Sequence, residues 1–248
     1  MTTPDLFDIQ RTDKTDLPFF YPYDDSARYQ ENLIRMPANW PWRNKTVRYD
    51  LNSLGYRAPE FNTVNWSQVI VCFGCSMTFG IGVNDCDNWP QQLSQLMGIP
   101  VVNLAVPGGS VQINWANSVR LIAAGIKPRA VIYNWPDVSR SCEFLEGRPV
   151  DNWGSWRLSA PQSPHTHNSL GTAWAMNSTH CQTMAELMIQ SLQWDCPRLD
   201  LTWSETLSRT VKFRYPRVDL ARDLQHPGPL SHLAFATMTA RDLKNLKI

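Results

Sequence analysis

The stretch Gln68-Val69-Ile70-Val71-Cys72-Phe73-Gly74-Cys75-Ser76-Met77-Thr78 decides the architecture of this chain. Val69 to Phe73 is an unbroken apolar run closed by Gly74. Such a short run bounded by a turn residue predicts a strand buried on both faces, the kind found in parallel sheets. Downstream the pattern alternates. Asn88-Trp89-Pro90 places a cap residue ahead of a proline and opens a helix through Leu96-Met97, with Gly98 ending it. Ile99 to Leu104 reads as a second strand, stopped by Pro107-Gly108-Gly109. A helix over Val111 to Ala124 ends at Gly125, and Ala130 to Tyr133 is a third strand ending near Asn134. Farther on, Thr179 to Gln193 predicts an amphipathic helix, Arg198 to Trp203 a fourth strand, and Leu230 to Asn245 a closing helix. Strands and helices that alternate with short turns give an α/β fold with a parallel sheet flanked by helices.

Upstream, Thr46 to Leu51 alternates like a half-buried strand, and Asn52-Ser-Leu-Gly55-Tyr-Arg57 follows as a turn. Residues 1–45 are rich in Pro, Asp and aromatics without periodicity, and are expected to be an extension wrapped on the domain formed by 46–248. Residues 141–168 form a polar insertion within that domain.

Composition narrows the function. With 248 residues the chain can bury one substantial core. The 23 basic side chains against 22 acidic ones leave a net charge of +1, and no basic run follows a phosphate backbone, so nucleic acid is not an expected partner. No stretch reaches the roughly 18 apolar residues of a membrane span. Met-Thr-Thr-Pro-Asp-Leu-Phe-Asp has neither the basic nor the apolar part of a signal peptide, so a cytoplasmic location is expected. Cys72 and Cys75 form a C-x-x-C, but Cys72 lies inside the apolar run and no second such pair completes a zinc site. His165 and His167 form an H-x-H with no Cys or carboxylate alongside, which fits a solvated loop better than a metal site. The tryptophans, among them Trp40, Trp42, Trp66, Trp153, Trp156 and Trp174, either pack extensions onto the core or offer stacking surfaces for sugar rings.

In an open α/β sheet, ligands bind beyond the carboxyl ends of the strands. Ser76 follows the first core strand, Gly108 the second, Asn134 ends the third, and Asp223 and His226 precede the last helix. A serine hydroxyl becomes a useful nucleophile when an imidazole takes its proton and a carboxylate holds the imidazole's tautomer. Ser76, Asp223 and His226 supply those three groups. Each has a simpler reading, Ser76 as a helix N-cap and Asp223 as a turn cap. The convergence of separate segments on one sheet edge favours catalysis. The G-x-S-x-G turn of α/β-hydrolases is absent, because Gly74-Cys-Ser-Met-Thr78 ends in Thr.

The blocks Phe73-Gly-Cys-Ser-Met-Thr-Phe-Gly80, Asn103-Leu-Ala-Val-Pro-Gly108-Gly-Ser and Asp223-Leu-Gln-His226-Pro-Gly-Pro-Leu-Ser-His232 resemble those of the SGNH (GDSL-type) hydrolases. Asn52 to Arg57, Gly82-Val and Asn88-Trp-Pro are similar to segments common around the first block. The resemblance spans about residues 46–245. It implies a three-layer α/β/α, flavodoxin-like fold and cofactor-free, metal-free ester hydrolysis through an acyl-enzyme. Ser76 would be the nucleophile, His226 the base and then acid, and Asp223 its orienter. The backbone N–H groups of Ser76 and Gly108 would stabilise the oxyanion. The family's third donor is an Asn in Gly-x-Asn-Asp. Here Tyr133-Asn-Trp-Pro-Asp137 puts Pro136 at that place, leaving Asn134, two residues earlier, to serve if the loop is rearranged. The substrates implied are small acyl esters, O-acetyl groups on carbohydrate among them. Acyl transfer by the same triad, or a silent glycan-binding or assembly domain, are the alternatives.

Overall fold

The structure is a computed structural model that describes residues 4–9, 16–20, 22–145, 148–153 and 178–248. Its elements in chain order begin with α1 (Ser26–Arg35), β1 (Ile70–Phe73), α2 (Ser76–Phe79), α3 (Trp89–Met97), β2 (Val101–Asn103), α4 (Val111–Ala123) and β3 (Ala130–Trp135). They continue with β4 (Ser141–Leu145), β5 (Arg148–Trp153), α5 (Ser178–Ser191), β6 (Arg198–Thr202), β7 (Lys212–Phe213) and α6 (Pro229–Asn245). Among the described residues five strands form one sheet in the order β2-β1-β3-β6-β7, every neighbouring pair parallel. That is a flavodoxin-like order, with its switch point between β1 and β3.

Period-two alternation along the strands divides the core into two layers. Ile70, Cys72, Ala130, Ile132 and Leu201 face one way and pack with Trp89 and Leu93 of α3 and Phe235, Ala236, Ala240 and Leu243 of α6. Val71, Phe73, Val131, Tyr133 and Trp135 face the other way, against Val111, Ile113 and Leu121 of α4 and Cys181, Ala185 and Ile189 of α5. Phe73, Tyr133 and Trp135 stack across that face, with centroids 4.8 and 4.2 Å apart. The helix ends agree with the sequence reading. The Asn88 side chain accepts from the Gln91 amide to start α3, and Gly98 closes it with φ 64°.

Three segments depart from expectation. Thr46 to Leu51 shows the anticipated alternation of burial, but among the described residues it meets a partner only at an isolated bridge, Leu17 to Tyr49, and belongs to no strand ladder. The aperiodic first 45 residues contain α1, capped by Asp25. The start of the polar insertion is an antiparallel pair, β4 with β5, in a separate sheet. His165, His167, Trp156 and Trp174 lie outside the described residues.

A third apolar cluster joins Phe20, Trp40 and Trp42 of the N-terminal segment and Val47, Tyr49 and Leu51 to Phe79, Ile81, Val83, Ala105 and Ala221. Trp40, Trp42 and Trp66 are buried, as packing residues are. Cys72 and Cys75 are also buried and form no disulfide. No helix among the described residues is long and apolar enough to cross a membrane.

Candidate active site

Ser76 sits at the first position of α2, immediately beyond β1. The helix cap is Cys75, and no side chain caps it, so Ser76 is not serving as an N-cap. A Cβ on Gly74 would lie 2.2 Å from Thr78 Oγ1, so only glycine lets the strand end pass this close to the turn that carries Ser76. The second block is tied to the first through Asn103. Its Nδ2 donates to the Thr78 carbonyl (2.9 Å), and its Oδ1 accepts from the Ala105 amide (3.1 Å).

Asp223 and His226 come from the loop before α6. His226 Nε2 stands 2.8 Å from Ser76 Oγ, and His226 Nδ1 stands 2.5 Å from Asp223 Oδ2. With the Nδ1 proton given to Asp223, Nε2 is left as acceptor for the serine proton. Asp223 Oδ1 accepts from the amides of Gln225 (3.1 Å) and His226 (3.0 Å). One carboxylate therefore both caps the turn and accepts from the imidazole. Burial pushes its carboxyl up. The His226 ring's hydrogen bond and charge, with the two amides, outweigh that and hold it below the usual carboxylate range. Asp223 is buried, Ser76 is 5% exposed and the His226 side chain is 12% exposed.

Among the described residues, neither the Ser76 nor the Gly108 amide donates a backbone hydrogen bond. Asn134 lies beside the helical turn that carries Ser76. Its Nδ2 donates to Thr78 Oγ1 at 3.3 Å and makes no hydrogen bond with Ser76. The reason lies in Pro136, which holds the residue before it extended. β3 therefore runs on through Trp135, and Asn134 stays in register with Leu201 inside the sheet. Asp137 accepts from Ser204 Oγ (2.7 Å) and fastens this loop beside β6.

The sequence offers Arg140, at the mouth of the third strand, as a steering charge for an acidic substrate or the partner of a surface carboxylate, and it offers no role for the Arg57 side chain. Arg57 is buried, and its NH1 donates to the carbonyls of Phe79, Gly80 and Val83 (3.3, 2.7 and 3.1 Å), clamping the turn behind α2. Arg140 lies over the Trp203 ring (5.0 Å), and its NH1 reaches the Gly109 carbonyl at 3.4 Å.

His232 is on α6, where its Nδ1 accepts from the Trp89 amide (3.1 Å) at the start of α3. Its pKa is pushed down to about 3, by burial first and then by the charges of Arg57 and His226, against smaller opposition from Asp219 and the Pro227 carbonyl. The folded protein thus keeps His232 neutral while the unfolded chain binds a proton below pH 6.5, so stability falls as pH drops from 6.5 toward 3. The limiting slope is about 1.4 kcal/mol per pH unit. Urea midpoints measured between about pH 7 and about pH 4.5 should fall less steeply in His232→Asn, which keeps an acceptor without titrating. Equal slopes for the two proteins would refute this role.

No protein-family model matches the sequence, and no curated protein matches it. Solved structures do. A lipolytic protein of the G-D-S-L family from Desulfitobacterium hafniense DCB-2 is 16% identical, with a TM-score of 0.40 over 71% of this chain and 99% of that one. A family two carbohydrate esterase from Clostridium thermocellum, in complex with cellohexaose, is 12% identical, with a TM-score of 0.45 over 72% of this chain and 64% of that one. A psychrotrophic esterase from Pseudoalteromonas sp., inhibited by monoethylphosphonate, is 9% identical, with a TM-score of 0.44 over 73% and 98%. This chain is similar in its layered architecture to proteins named as G-D-S-L lipolytic proteins and esterases.

Proposed function

We propose that this protein is a serine esterase that cleaves small acyl esters through an acyl-enzyme on Ser76. The observation that carries this reading is the continuous relay from Ser76 Oγ to His226 Nε2 (2.8 Å) and from His226 Nδ1 to Asp223 Oδ2 (2.5 Å). In the acylation step His226 takes the serine proton as Oγ attacks the ester carbonyl. The same proton then goes to the departing alkoxide, and a water activated by His226 releases the acid. The Ser76 and Gly108 amides stabilise the tetrahedral oxyanion, each donor contributing about 3 kcal/mol by comparison with other oxyanion holes. The acyl groups are small and O-acetylated carbohydrate is one such substrate. An acyl acceptor other than water would make the same machinery a transferase.

A fluorophosphonate probe tests the reading directly. The expected result is one adduct per chain, located by peptide mass spectrometry on Ser76, absent in Ser76→Ala, and accompanied by loss of p-nitrophenyl acetate turnover. A wild-type protein that neither labels nor turns over, or a label on another residue, would sink the assignment.

A further inference from the structure

We infer that the N-terminal segment braces the loop carrying Asp223 and His226, with Asp24 as a positioning residue for the proposed ester cleavage. The loop is strained where precision matters. Leu224, between the two triad residues, has φ 59°, a left-handed conformation that a residue with a β-carbon rarely adopts. Such a conformation persists when its surroundings over-determine it.

The N-terminal segment supplies those surroundings. Arg28 NH1 donates to Gln225 Oε1 (3.3 Å), Asn32 Nδ2 to the Arg222 carbonyl (3.2 Å), and Trp42 Nε1 to the Leu220 carbonyl (3.0 Å). The Tyr23 ring stands edge-on to the His226 imidazole, centroids 6.5 Å apart at 84°. Two backbone carbonyls just before Asp223 are thus held by side chains far upstream in the chain, Asn32 at a separation of 190 residues and Trp42 at 178.

Asp24 ties this brace to both halves of the site. Its Oδ1 and Oδ2 accept from Arg222 Nε (3.1 Å) and NH2 (2.5 Å), the residue preceding Asp223. Oδ2 also accepts from Tyr49 OH (2.5 Å), and the Tyr49 oxygen accepts from the Gly82 amide (2.7 Å) in the turn that follows α2. The Gly82 carbonyl in turn accepts from the Arg222 amide at 3.1 Å. Gly82 has φ 77°, and a Cβ there would meet Ala221 Cβ at 2.7 Å, so the two turns touch through glycine. Asp24, Tyr49 and Arg222 are all buried, and the guanidinium of Arg222 also lies over the Phe19 ring at 4.4 Å. One carboxylate therefore fixes the Ser76 turn and the Asp-His loop relative to each other.

The inference rests on the esterase reading of the triad, and its test separates the two. In wild type, Asp24→Asn, Asp24→Asn/Arg222→Gln and Asn32→Ala, two quantities are measured: p-nitrophenyl acetate kcat per fluorophosphonate-titrated site, and the downfield proton resonance of His226 Nδ1–H. Asp24→Asn leaves a buried guanidinium unpaired and risks misfolding. The double variant removes both charges, and Asn32→Ala spares the pair altogether. The expected result is kcat per titrated site lower by roughly ten- to a hundredfold, KM within about twofold, and a shifted or broadened His226 resonance. A purely structural role would lower the fraction of titratable sites and leave the rate per site and the resonance alone. Either quantity unchanged in every folded variant overturns the brace. A wild-type protein that does not label refutes the esterase reading instead, and the resonance then decides the brace by itself.

Discussion

Replacing Ser76 with Ala should lower kcat/KM for p-nitrophenyl acetate by about 10⁴- to 10⁶-fold, and adding His226→Ala to that variant should lower it no further. The geometry gives the reason. Ser76 Oγ and His226 Nε2 are 2.8 Å apart and act on a single proton, so removing either ends nucleophile activation. What survives is whatever the Ser76 and Gly108 amides and substrate binding provide, and that residue is common to all three variants. The measurement is a double-mutant comparison of kcat/KM at one pH, with thermal unfolding to confirm that each variant is folded. Effects that multiply would mean that the two side chains act independently and that no relay exists. A Ser76→Ala rate within tenfold of wild type would remove Ser76 from the reaction.

The second large effect is expected of Asp223→Asn, about 10⁴-fold in kcat with little loss of stability. Asp223 uses its two oxygens differently. Oδ1 receives the Gln225 and His226 amides, and an asparagine carbonyl can still do so, which keeps Leu224 in its left-handed conformation. Oδ2 receives the Nδ1 proton, and an amide NH₂ in its place donates instead of accepting. The imidazole then carries its proton on Nε2, facing Ser76, where it cannot accept the serine proton. Asp223→Ala should behave differently, losing the turn cap as well, so its unfolding temperature should fall along with its activity. Circular dichroism melts and kcat for both variants separate the two roles. An Asp223→Asn rate near wild type would mean that the second oxygen does not set the tautomer.

The fold was largely written in local patterns. The apolar run before Gly74, the capped helix from Asn88 to Gly98 and the strand from Ala130 each depend on neighbours a few residues away, which is why sequence periodicity located them. Where partners are distant, the pattern misled. Val47, Tyr49 and Leu51 alternate like a strand because alternate residues enter the third core cluster, yet among the described residues one bridge to Leu17 is all the pairing they make. The helix Ser26–Arg35 lies in a stretch rich in Pro, Asp and aromatics without clean periodicity, and its Tyr29 and Leu33 pack on the third core cluster.

The same division runs through the site. By itself the sequence determined the residue types of Ser76, Asp223 and His226, their chain order and the D-x-x-H spacing, because these are local facts. Only the tertiary structure decided where the Asn134 side chain goes. Asn134 is held in the sheet beside Thr78, since Pro136 keeps β3 extended and alternation fixes which way each side chain turns. It also decided that Asp24 anchors the Asp-His loop across a separation of 198 residues. A buried carboxylate finds its guanidinium through the packing of the whole chain, and no spacing in the sequence records that.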